Sequence, residues 1–323
     1  MMYCLKCEHK CRIEEGHHGK CGVIGEGTTR LVSSYEAIIV AERVERIENI
    51  PFYHYKPNSL VWAVGFAGCN FHCPWCHNYH FTQEFRKSIV GRIQKPEDVL
   101  QNAIKNEVNI IAFTYNEPTI ATDFIRNVIK KSKEEKYEKY DFKFLWKTNG
   151  YMTLYTFNTV GFDIDGFSVD LKFASNKQYE EIGGKLGWVL GNIRCLYDMG
   201  KHVEVVTLVV PGINDDKKSI LKIGGIISNI SKSIPWHITP FIPAYKFKDK
   251  TYEDPEIFDK IRDWVRSEMD LKYVYLHKHS GYCNTVCYTC GAPIIRRLTG
   301  VVLEVNIKDG ECQNCGKKIF GVF

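Results

Sequence analysis

Between residues 68 and 78 the chain reads Gly68-Cys69-Asn70-Phe71-His72-Cys73-Pro74-Trp75-Cys76-His77-Asn78, with three thiols spaced C-x3-C-x2-C. Thiolates this close in sequence reach one metal centre only if the backbone wraps around it. A cubane iron–sulfur cluster is large enough to be wrapped, and such clusters usually take four cysteines. Three leave one iron without a protein ligand, so that iron can bind a substrate, much as a catalytic zinc keeps an open position. The competing chemistry is a structural zinc knuckle, which needs a fourth ligand close by. The apolar run before Cys69 and the aromatic Trp75 before the last thiol fit a strand that ends in a cluster loop.

The remaining cysteines of the 13 fall into groups. Cys4, Cys7, Cys11 and Cys21 lie in a loop-like stretch turned by Gly16, Gly19, Gly22 and Gly25. So short a segment has no core of its own and reads as a metal-stapled module. Zinc is the first expectation there and a second iron–sulfur cluster the other, with His9, His17 or His18 able to replace a thiol. Near the other end, Cys287-x2-Cys290-Gly291 and Cys312-x2-Cys315-Gly316 have the spacing of a zinc ribbon. Cys283-x3-Cys287-x2-Cys290 repeats the central spacing, but Cys287 and Cys290 are better explained by their downstream partners. Cys195 and Cys283 are left over. Two closed sites and one open one are expected, and chemistry belongs at the open one.

These groups need a scaffold, and 323 residues suffice for one large α/β domain with small appendages. An apolar content of 44% and a charged content of 25% are ordinary for a globular protein. The net charge of +5 is modest, and basic residues are interleaved with acids, with no basic arm or stripe. That argues against a metal-stapled nucleic-acid-binding protein, the non-enzymatic alternative. The first residues lack the apolar core of a signal peptide and no run approaches a membrane span. A cytoplasmic protein is expected, in which cysteines serve as metal ligands rather than disulfides.

From residue 60 short apolar runs recur at Leu60–Phe66, Asn109–Tyr115, Lys143–Lys147, Gly166–Leu171, Val203–Val210, Trp236–Phe241 and Lys272–Leu276. Most lack polar alternation, as strands buried on both faces do. Helical stretches lie between them, near Pro96–Glu107, Thr122–Tyr140, Gln178–Met199, Lys217–Ser231 and Pro255–Ser267. Only the link from Lys147 to Gly166 is short for a crossover. Strand, helix, strand throughout predicts a parallel sheet, doubly wound or curled into a partial barrel. Cys69, Asn116-Glu117-Pro118, Thr148-Asn149-Gly150, Asp170-Leu171-Lys172 and Pro211-Gly212 each follow or close a strand. Carboxyl ends of barrel strands share one mouth, so these motifs converge on one site. The chain divides into a cysteine-rich module and linker (1–57), a barrel (58–280) and a ribbon-like module (281–323), with strand-like Ala37–Val40 in the linker.

On the C-x3-C-x2-C motif and its His77-Asn78 continuation, residues 58–276 resemble the radical S-adenosylmethionine (radical SAM) proteins similar to pyruvate formate-lyase activating enzyme. The early cysteines, Pro51–Pro57, Thr114-Tyr115-Asn116-Glu117-Pro118-Thr119 and the ribbon ending Gly321-Val322-Phe323 look like the AmmeMemoRadiSam system radical SAM proteins. The resemblance implies a partial (β/α)6 barrel. It also implies a [4Fe–4S] cluster on Cys69, Cys73 and Cys76, whose open iron chelates S-adenosylmethionine. An electron from the cluster then cleaves the sulfonium bond, and the 5′-deoxyadenosyl radical takes a hydrogen atom from a substrate. By the same resemblance Trp75, Asn116, Glu117, Asn149, Asp170 and Lys172 bind the cofactor, Glu117 through the methionine ammonium. Asn116-Glu117 stands where the activating enzyme has Gly-Gly-Glu, and Phe241–Tyr245 holds no histidine where that enzyme has one. The implied partners are a flavodoxin- or ferredoxin-like electron donor and a Memo-like companion protein as polypeptide substrate. Glycyl-radical activation is the alternative activity.

Overall fold

The computed structural model describes residues 2–26, 31–33, 38–87, 91–277, 283–298 and 300–323. Ala37 and the expected boundary between residues 280 and 281 lie outside the described residues. The central element is a largely parallel sheet. Its strands are β1 (Ile38–Arg46), β2 (Leu60–Phe66), β3 (Ile110–Phe113), β4 (Lys143–Thr148), β5 (Gly166–Asp170), β6 (His202–Val209), β7 (Trp236–Pro240) and β8 (Val274–Leu276). From β2 to β8 neighbours in space are neighbours in sequence, and every pair is parallel. Antiparallel β1 covers the free side of β2, and the short strand Arg92–Ile93 borders β1. The edges are not joined to each other, so the sheet is the expected partial barrel of an α/β protein. The strand-like start at Ile38–Val40, placed in the linker, extends to Arg46 and is a full strand of this sheet.

The outer face of the strands (Trp62, Val64, Phe113, Trp146, Val205, Trp236) packs against the helices. These are α1 (Pro96–Lys105), α2 (Thr122–Ser132), α3 (Leu154–Val160), α4 (Asn176–Glu181), α5 (Leu186–Asp198), α6 (Lys217–Ile230) and α7 (Ile257–Glu268). Their starts follow local chemistry. Pro96 opens α1, whose Asp98 accepts from the Lys95 N–H, and Asp216 caps α6 through the Ser219 N–H. The short link after β4 does hold a helix, α3, capped by Thr153. The stretch expected as one helix from Gln178 to Met199 is two, because Gly183 takes φ +89° and a Cβ on Gly184 would lie 2.6 Å from the Phe71 ring. That break lets the cysteine loop pack down, and His72 N–H donates to the Ile182 carbonyl.

The inner face differs by depth. Val61, Ala63, Ile110, Ala112 and Leu145 pack on Ile47, Ile50, Phe52 and Tyr55, closing the floor with the segment before β2. Above them sits a buried polar layer around Glu204, which accepts from the Tyr53 and His54 N–H groups at 3.0 and 2.8 Å, from His202 at 2.9 Å and from His237 at 2.6 Å. The ribbon module joins this floor. Arg297 stacks over Tyr53 at 4.2 Å and donates to the Tyr53 carbonyl, while His54 donates to the Phe320 carbonyl at 2.6 Å. Among the described residues no helix is long and apolar enough to cross a membrane.

Candidate active site

The cysteine loop leaves β2 at its carboxyl end, where Gly68 takes φ +84° against the Cys21 carbonyl and Val23. Its shape is fixed by neighbouring strand ends. Asn116 clamps the loop's first residues, accepting from the Phe66 N–H at 3.2 Å and donating to the Gly68 carbonyl at 2.8 Å. Asn78 donates to the Tyr115 carbonyl at 2.6 Å, so the loop's far end is tied to the same strand end. Trp75 is buried, edge-on to Phe173 and Phe247 with ring centres 5.8 and 5.6 Å away. Burial pushes the Cys69 thiol up and the Cys73 thiol to about 12, with Lys172 opposing the rise at Cys73. As free groups these two stay protonated, so a metal centre must displace their protons.

The site residues expected from sequence divide into two sets. Glu117 and Asn149 are braces. Glu117 is 1% exposed; Oε1 accepts from Thr119 and Thr148, and Oε2 from the Asn149 N–H at 2.6 Å. Burial raises its carboxyl, and these bonds offset part of that. Asn149 donates to Asn70 Oδ1 at 2.7 Å and accepts from the Tyr151 N–H at 3.0 Å. Asp170 and Lys172 form the other set, partly open and bonded to each other at 2.8 Å. Asp170 also pairs with Lys147. Burial would raise Asp170, but Lys147 and Lys172 outweigh it and hold it at about 2, so the carboxylate is ionised at neutral pH. This charged set lies beside Cys73, close enough for Lys172 to oppose the rise of its thiol.

Sequence reading missed Asn70, Lys147 and the Tyr79–Tyr245 stack, whose rings lie 4.8 Å apart beside the loop. Asn70 sat inside the motif, and Lys147 two residues before Asn149 shares the inward face of β4; those positions were the available signals. His237, near the place where a cofactor histidine was sought, is committed to Glu204 and to His277 at 2.7 Å.

Two other cysteine groups contrast in geometry. Cys287, Cys290, Cys312 and Cys315 bring their sulfurs within 4.8 Å of one another, with pairs at 3.6 and 3.9 Å, and could hold a metal ion. Sulfurs around one zinc at ~2.3 Å lie roughly 3.8 Å apart, so the group has single-ion dimensions. Gly291 and Gly316, at φ +70° and +69°, close the two knuckles, and Cys283 stays outside. It is the one group of three or more ligand atoms among the described residues that closes to this distance. Cys69, Cys73 and Cys76 do not all close to this distance. Replacing Cys312 and Cys315 together is expected to release one metal per chain. A structural site of this kind contributes roughly 10 kcal/mol to folding its module, so residues 283–323 should become protease-sensitive. Unchanged metal content and digestion would show that the ribbon does not fold around an ion.

Residues 64–223 match the model of the Radical SAM superfamily. A Methanocaldococcus jannaschii protein, uncharacterized protein MJ0808, is 27% identical over 98% of this chain and 94% of its own length. Among solved structures, Streptococcus suis SuiB bound to S-adenosylmethionine is similar with TM-score 0.50 and 13% identity over 67% of this chain. SuiB bound to precursor peptide SuiA gives TM-score 0.51 and 15% identity over 73% of this chain. The matches span 49% and 52% of those solved chains, about half their length. The motif loop, the parallel sheet and the family match agree: residues 64–223 of this chain form a radical SAM domain.

Proposed function

We propose that the chain binds a [4Fe–4S] cluster through Cys69, Cys73 and Cys76 and uses it to cleave S-adenosylmethionine. The observation that carries this reading is three thiols in one loop, braced from two strand ends, within a radical SAM domain. Once bound, the cluster and S-adenosylmethionine supply a reducing electron and a 5′-deoxyadenosyl radical able to abstract hydrogen. The protein's own part is positional. Asn116 and Asn78 fix the two ends of the loop, and Asn149 fixes its middle through Asn70. Trp75, packed on Phe173 and Phe247, keeps water from one side of the thiols. Lys172, Asp170 and Lys147 offer both charge signs beside Cys73, where a zwitterionic amino acid and a ribose need partners. In this reading Glu117 holds strand ends together, and its Oε2, which accepts only from the Asn149 N–H, takes the methionine ammonium.

The substrate is a polypeptide in this proposal, with reduced flavodoxin or ferredoxin as electron source and a Memo-like companion, as in AmmeMemoRadiSam systems, as the first candidate. Two features support a large substrate. The sheet edges are not joined, so the barrel has an open side. A chain of similar fold, SuiB, has been seen with a precursor peptide bound. The test is anaerobic reconstitution with iron and sulfide, addition of a strong reductant and S-adenosylmethionine, and assay of 5′-deoxyadenosine. Deuterium moving from a labelled companion polypeptide into that product supports the polypeptide reading. Deuterium from a single glycine position, with a persistent glycyl radical, would shift it to activase chemistry, and robust turnover of a metabolite without any polypeptide would sink it.

A further inference from the structure

The N-terminal cysteines form a built site with different dimensions from the ribbon. Strands Met2–Tyr3 and Arg12–Ile13 pair antiparallel, and the Cys4 N–H donates to the Cys11 carbonyl at 2.9 Å, so the first three thiols share one hairpin. A second turn, with Gly19 N–H on the Ile24 carbonyl at 2.8 Å, carries Cys21 back to them. All four are free thiols. Cys4 lies within electrostatic reach of Cys11 and Cys21, and Cys7 of Cys4 and Cys21, so the four thiols are neighbours. Yet they do not close to the 4.8 Å that the ribbon quartet reaches.

Backbone amides point at each of these sulfurs. The Lys6 N–H is directed at Cys4, His9 at Cys7, Val23 and Ile24 at Cys21, and Lys20 reaches Cys11 Sγ at 3.4 Å. A neutral thiol is a weak acceptor, whereas a metal-bound thiolate is a strong one. The Asn70 side chain adds to this. It is 0% exposed, its Oδ1 is used by Asn149, and its amide nitrogen faces Cys7 without closing a hydrogen bond to any partner. An unpaired buried donor aimed at a cysteine sulfur is costly beside a thiol and favourable beside an anionic thiolate.

We propose that Cys4, Cys7, Cys11 and Cys21 hold a second iron–sulfur cluster, fully ligated by protein and therefore closed to substrate. One zinc would hold the sulfurs roughly 3.8 Å apart, closer than the 4.8 Å that this quartet does not reach, so the wider cubane is the better match. The second centre lies directly against the first loop. The Cys21 carbonyl abuts Gly68, His9 donates to the Asn70 carbonyl at 2.8 Å, and Asn70 stands between Cys7 and Asn149. Two cofactors on either side of residues 68–70 are placed to exchange single electrons.

The full chain carrying Cys69→Ala, Cys73→Ala and Cys76→Ala, reconstituted anaerobically, isolates the second site from the first. It is expected to bind about four iron and four sulfide per chain and to give a paramagnetic signal on reduction. Adding Cys4→Ser and Cys7→Ser should abolish both. Should the triple variant fail to fold, the native chain answers the question with about eight iron and eight sulfide rather than four. Acid-labile sulfide absent from the triple variant, or one zinc held on the N-terminal cysteines, would overturn the proposal. Iron unchanged by the three alanines would instead refute the assignment of the first site. In the fully reduced native chain the signal should differ from the sum of the two separated sites, because neighbouring paramagnets interact. A simple sum would overturn their adjacency.

Discussion

Cys73→Ala is expected to remove the first cluster outright, lowering iron by about four per chain and reducing 5′-deoxyadenosine formation to background. Each ligand of a three-thiolate site carries a full corner of the cluster, and the loop offers no substitute. His72, the nearest candidate, is held away by Gln83 at 2.8 Å. Burial holds the Cys73 thiol at about 12 as a free group, so its deprotonation depends on the metal and on Lys172. The same reasoning predicts slower loading for Lys172→Met, with the final cluster still formed. Iron and sulfide analysis with product chromatography checks both. A Cys73→Ala chain that keeps a full complement of iron and cleaves S-adenosylmethionine would place the chemistry elsewhere.

The largest stability effect is expected at Glu204→Ala. This carboxylate is 0% exposed and receives four hydrogen bonds, two from backbone and two from histidines. Burial alone would raise it, but His202 and His237 outweigh that and hold it well below the usual carboxylate range. Truncation leaves four donors unpaired in a dry layer, a cost of about 4 kcal/mol or more. Unfolding temperature should fall by roughly 10 °C. Acid should have a related effect on the native chain. Burial depresses His54 to about 3 and also lowers His237 and His277. A histidine with a depressed folded pKa is protonated first in the unfolded chain, so its stabilisation is complete above about 6.5 and is lost as pH falls. Each contributes a slope of up to about 1.4 kcal/mol per pH unit below that point. Urea midpoints at neutral and mildly acidic pH measure this. A flat profile across that range would show that the layer is open to water, and an unchanged midpoint for Glu204→Ala would deny the carboxylate its bracing role.

The sheet was legible because buried parallel strands are apolar on both faces, and Leu60–Phe66 or Val203–Val210 cannot be read otherwise. The ribbon was legible because two C-x2-C knuckles about one hairpin apart are the spacing that brings four thiols together. Strand β1 was only half legible: its apolar start at Ile38–Ala41 reads as strand, but Glu42-Arg43-Val44-Glu45-Arg46 is mostly charged and nothing local says which sheet it joins. Glu117 was placed at the right strand end, but its partners Thr119, Thr148 and Asn149 come from two segments. Sequence shows where such a carboxylate sits, not which neighbouring groups it braces. The floor was invisible for the same reason, since His54, Glu204, His237 and Arg297 each read as an isolated polar residue in an apolar run.

That floor also sets the order in which the chain acquires its shape. Tyr53 and His54 bond to Glu204 across 151 and 150 residues, Arg297 reaches Tyr53 across 244, and His54 meets Phe320 across 266. Loop closures this long cost entropy before they return energy, so such contacts form late and slow the final step. Until then the undersides of Phe52, Tyr53 and Tyr275 remain exposed on a nearly complete sheet, a species prone to self-association. Slow, cool refolding at low protein concentration should raise the yield of native chain, and the last phase to appear should be the burial of these rings.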